Sequence, residues 1–80
     1  MREFIATFHT HLSAMMTSRT LTSLGIQARM MPVPRKLSSS CGTCVRYLAA
    51  DANLTAMDED VEAVYEKIGR EEYTLLFNAD

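Results

Sequence analysis

The stretch LTAMDEDVEAVYEKIG, residues 54–69, decides how the chain folds. Its apolar residues Leu54, Met57, Val61, Val64, Tyr65 and Ile68 recur at steps of three and four, the spacing of one helix face. Asn53 or Thr55 offers a cap at its start, and Asp58 adds a carboxylate where the helix dipole favours negative charge. Gly69 follows the last periodic residue, as a C-terminal stop does. The spacing predicts a helix over 54–68.

Downstream, 73–77 is short, aromatic and aliphatic, and reads as a last strand. Upstream, Asp51 to Asn53 breaks the pattern, and 44–49 reads as a strand with Val45 and Tyr47 on one face. Residues 35–43 form a loop. In 26–33, Ile26, Ala28, Met30 and Pro32 point one way and Gln27, Arg29 and Met31 the other, which is strand alternation. Pro32 and Pro34 have no N–H for a ladder, so pairing fades there or lies at an edge. Before Gly25 lies a helix capped by His9 or Thr10 and running to Leu24. It is rich in Ser and Thr but keeps Ala14, Met15, Leu21 and Leu24 at helical spacing. Residues 4–8 make the first strand. The order β-α-β-β-α-β predicts an α+β, ferredoxin-like fold, a four-stranded antiparallel sheet with two helices on one face.

Eighty residues suit one domain, 1–80, with a thin core that a homodimer would reinforce. The stretch 4–50 carries five basic residues and no acid, whereas 51–80 carries nine acids against Lys67 and Arg70. This polarity gives two surfaces of opposite sign. The run 4–18 is too short and too interrupted by polar residues to span a membrane, and Glu3 spoils a secretory leader. We expect a cytoplasmic chain with reduced thiols. The net charge of −2 and the lack of an aromatic-basic strand argue against nucleic acid.

The concentrated chemistry lies in the loop. Cys41 follows Ser39 and Ser40 and precedes Gly42, with Arg35, Lys36 and Arg46 nearby in sequence. A nucleophilic thiol acts as thiolate, so the site must lower the cysteine pKa from about 8.5. The cations, the serine hydroxyls and the N–H groups around Gly42 are suited to that task. Cys41 is the candidate attacking thiol. Cys44, at Cys-x-x-Cys spacing, is either its resolving partner or a small buried residue.

The run Met31-Pro32-Val33-Pro34-Arg35-Lys36-Leu37-Ser38-Ser39-Ser40-Cys41-Gly42, together with Gly25-Ile26 and Arg46, resembles the "putative Se/S carrier protein-like" family almost end to end. The resemblance implies a sulfur or selenium carrier, an accessory protein rather than a stand-alone enzyme, working with donor and acceptor proteins and without a bound cofactor. Two features depart from the family pattern: the Ser/Thr-rich first helix and Cys44.

Two other functions stay open on the residues. A small anion- or partner-binding module would use Arg35 as a guanidinium fork, with no covalent chemistry. Soft-metal binding would use Cys41 and Cys44, with His9 and His11 as further donors; the block 58–60 caps a helix in water and is not a metal site.

Overall fold

The computed structural model describes residues 1–79. Strand β1, Arg2–Phe8, alternates Phe4, Ala6 and Phe8 with Ile5 and Thr7, and every residue from Phe4 to Phe8 is buried. Helix α1, His11–Ser23, starts where the Thr10 side chain accepts a hydrogen bond from Ser13 N–H. It ends before Gly25, whose φ of +80° suits a residue without Cβ. Strands β2, Gln27–Pro32, and β3, Thr43–Ala49, pair as a long-looped hairpin. Pro32 closes β2, which is an edge strand of the sheet.

The predicted second helix is absent. Residues 54–68 instead form a short 3-10 turn, Leu54–Ala56, and strand β4, Val61–Gly69. A tight turn at Arg70 and Glu71 leads to β5, Glu72–Asn78, antiparallel to β4. Among the described residues the sheet has five antiparallel strands in the order β2-β3-β1-β4-β5, with one α-helix. This corrects the ferredoxin-like expectation of four strands and two helices. The β-α-β half survives: β1 and β2 run parallel with β3 between them.

The physical reason lies in a β-bulge. Thr7 pairs with Ala63 and Phe8 with Val61, so Glu62 is an extra residue on β4. A regular strand would send Val61 and Val64 to opposite faces. The bulge shifts the alternation by one, and both enter the core beside Phe8 and Ala6. Two core residues three positions apart are a helix signature, produced here by an interrupted strand. Ile68, the last residue of the supposed helical stripe, is 60% exposed.

The core lies between α1 and the sheet. Phe4, Ala6, Phe8, Val45, Tyr47, Ala49, Val61 and Val64 meet Ala14 and Leu21 of the helix. Phe4 and Tyr47 stack with ring centroids 5.1 Å apart, and the buried Tyr47 hydroxyl donates to Ala52 O at 2.5 Å. The acids at 58–60 also differ from expectation: Asp58 ties the helix to β4 instead of facing water. It accepts from Ser13 Oγ at 2.7 Å, while its N–H donates to Thr17 Oγ1 at 2.9 Å. The buried polar residues of the weak helix former are thereby satisfied.

Candidate functional site: the thiol loop

The ten residues between β2 and β3 fold back over the end of β1. Val33 N–H donates to Gly42 O at 3.1 Å, closing the loop neck, and Leu37 N–H donates to Pro34 O at 2.9 Å, forming a turn at its tip. Gly42 has a φ of +74°, which lets the chain reverse between Cys41 and β3. From that neck the serines reach the sheet. Ser39 Oγ lies 3.0 Å from Phe8 O, 3.5 Å from Thr43 O and 3.7 Å from Cys41 Sγ. Ser40 reaches the bulge: its N–H donates to Glu62 Oε1 at 3.0 Å and its hydroxyl to Glu62 Oε2 at 2.7 Å.

The two thiols occupy different surroundings. Cys41 is half-buried on the loop, with Sγ 3.5 Å from Thr43 O. Cys44 is fully buried within β3, between Met31 and Thr7, with Sγ 3.8 Å from Pro32 O. Burial, with a smaller contribution from Cys41, pushes the Cys44 pKa up to about 11. Both cysteines are free.

Of the residues expected to support the thiolate, Ser39 and Ser40 are at the loop's contacts and Gly42 shapes it. Arg46 is engaged elsewhere, its Nε 2.6 Å from Glu3 Oε2. Arg35 is exposed at the tip and makes no hydrogen bond or ion pair among the described residues.

Two residues outside the expected thiolate-supporting set complete the site. Glu62 is expected in a helix, and His9 as a cap or as a metal donor beside the cysteines. In the structure His9 Nδ1 lies 3.4 Å from both Glu62 Oε2 and Ser40 Oγ. Burial pushes the Glu62 carboxyl up. The Ser40 N–H and hydroxyl, with His9 and Ser39, outweigh it and hold the group below its ordinary value. A polar cleft of about 130 Å³ adjoins this cluster, lined by His9, Ser38, Glu62, Tyr65 and Asn78 among others. A larger, mostly apolar cleft of about 380 Å³ lies at the far end of β3, by Gly25, Gln27, Leu48 and Asn53. No three His, Cys, Asp or Glu side chains among the described residues are placed to hold a metal ion, so His9 and His11 do not join the cysteines in a donor set. No described helix is long and apolar enough to cross a membrane.

Comparison with known proteins fits these features to a family. The Escherichia coli strain K12 protein named "Uncharacterized protein YtiA" is 33% identical over 45 residues, 56% of this chain and 53% of the relative. The match thus spans about half the length of that relative. No solved structure matches. A family model described as "Putative Se/S carrier protein-like" matches residues 3–72, a span that takes in the helix, the thiol loop and Glu62, and the chain belongs to that family.

Proposed function

We propose that the chain carries sulfur or selenium on Cys41. The family's name supports the cargo, and the contrast between the two thiols supports the residue. Cys41 stands half-open on a loop, whereas Cys44 is sealed in the sheet with a raised pKa of about 11. Only a thiolate attacks sulfane sulfur, and it must also be reached. In the loading step, Cys41 S⁻ attacks the terminal sulfur of a donor persulfide R–S–SH. A new S–S bond forms on Cys41, the donor's S–S bond breaks, and the donor leaves as thiolate R–S⁻. A selenium donor R–S–SeH follows the same path. Delivery repeats the exchange on an acceptor thiolate. On this reading Cys44 is a packing residue, and Ser39, 3.7 Å from the sulfur, steadies the loaded group.

The test is mass spectrometry after incubation with a low-molecular-weight persulfide. The expected result is one added sulfur on the native chain and on Cys44→Ala, and none on Cys41→Ser. An adduct on Cys41→Ser overturns the assignment. Loss of every adduct from the native chain shifts the reading to the exposed guanidinium of Arg35 as an anion- or partner-binding group.

A further inference from the structure

We propose that Glu62 is a latch that holds the thiol loop in a resting position, and that releasing Ser40 from it frees Cys41 for transfer. The proposal rests on Cys41 being the carrier thiol. Its first ground is how the loop is held. Apart from the backbone bonds at its neck and tip and the contact of Cys41 Sγ with Thr43 O, the loop is fixed to the sheet through its serines. Ser39 Oγ bonds Phe8 O, while the N–H and hydroxyl of Ser40 occupy one oxygen each of the Glu62 carboxylate. Hydrogen bonds to a charged acceptor are the stronger kind, and this pair is two-pronged.

The second ground is where Glu62 comes from. It is the extra residue of a bulge between two central strands of the sheet. Its backbone carbonyl is also tied, accepting from Ala79 N–H at 2.9 Å. The carboxylate therefore projects toward the loop from a fixed base, the re-aiming that bulges commonly provide beside functional sites. His9, at the end of β1, closes the cluster from the other side.

The third ground is the position of the sulfur. In the latched loop the Cys41 sulfur lies against the chain itself, 3.5 Å from Thr43 O. The Ser39 hydroxyl has a carbonyl at 3.0 Å, closer than the sulfur at 3.7 Å. The resting geometry thus keeps the half-buried sulfur on partners within the loop and its neck. A donor gains fuller access to the half-open sulfur when the loop turns it away from Thr43, and the Ser40–Glu62 contact opposes that movement.

The experiment compares alkylation rates of both cysteines at one pH in the native chain, Glu62→Ala, Glu62→Gln and Ser40→Ala. Cys44 serves as an internal reporter, since its burial protects it while the sheet is intact. We expect Cys41 to react about tenfold faster in Glu62→Ala, the order expected when a charge-assisted contact holding the loop closed is lost. Glu62→Gln keeps one acceptor and Ser40→Ala keeps the N–H, so both should fall between. Cys44 should stay protected throughout. Equal Cys41 rates in all four proteins overturn the latch and leave the carrier reading intact. Parallel acceleration of Cys44 also overturns it, because Glu62 is then merely structural. A faster Cys41 with no persulfide uptake by the native chain retains the latch and removes the carrier role.

Discussion

Cys41 and Cys44 stand three positions apart, yet one faces the loop and the other the sheet interior, because Gly42 turns the chain between them. Glu62 shows how a single side chain couples such a loop to acidity. Its folded pKa is depressed below the ordinary 4.5. The ionised group therefore stabilises the fold above the unfolded value, and that contribution is lost as pH falls through the lower folded value. Well above the folded value the loop contact is complete; as pH falls through that value, protonation weakens the acceptors of Ser40. The Ser40 amide resonance should titrate in step with the Glu62 carboxyl carbon, with a midpoint under 4.5. A midpoint at or above that value, or an amide that does not follow, contradicts the contact.

At the scale of elements, α1 depends on groups outside itself. Ser13 and Thr17 lie one helical turn apart on its buried face and meet the Asp58 side chain and N–H. Asp58→Ala leaves the buried Ser13 hydroxyl without its partner and also removes the bond to Asp60 N–H. We expect a loss of about 1–3 kcal/mol in urea unfolding; a loss under about 0.5 kcal/mol would show that water replaces the carboxylate. The same elements show what the sequence discloses. Alternation in 26–33 and 44–49, the Thr10 cap and Gly25 marked the first half of the fold correctly, since there each local signal agrees with the tertiary context. The second half misled because a bulge is a tertiary event. Nothing in Val61-Glu62-Ala63-Val64 announces that the alternation slips at Glu62, and the slip reproduces a helical spacing. Assigning those residues to a helix also hid Glu62 from the site. The β-branched and aromatic content of Val61, Val64, Tyr65 and Ile68 was the signal that favoured a strand. Of the site itself, Cys41, Ser39 and Ser40 were visible from the loop, whereas Arg46 was not free, because its partner Glu3 lies more than forty residues away in sequence.

At the scale of the molecule, the chain is as compact as an ordinary monomer of its size. Its accessible surface is 4846 Å² for 9.0 kDa, and compact monomers of that mass expose about 4,850 Å², hiding roughly 63% of what the unfolded chain exposes. The surface area alone gives no reason to require a second copy. The core is nevertheless thin, and the stacked Phe4 and Tyr47 fill much of it. Phe4→Ala should cost about 3–5 kcal/mol, against about 4–12 kcal/mol for a domain of this length. The urea midpoint should fall sharply, with a substantial unfolded fraction at 37 °C in the less stable part of that range. A midpoint shifted by less than a quarter would show that the ring stack matters less than its burial implies.

The bulge on β4 has one more consequence, in terms of chain length. With Glu62 deleted, Val61 and Ala63 become neighbours that face Phe8 and Thr7 in unbroken register, and Val61 and Val64 still enter the core. A chain one residue shorter would therefore be a more regular sheet with nothing to hold Ser40. The irregularity adds nothing to the core, and in this protein a gap of one residue, more than any change of side chain, divides a plain β-sheet from one that restrains a thiol.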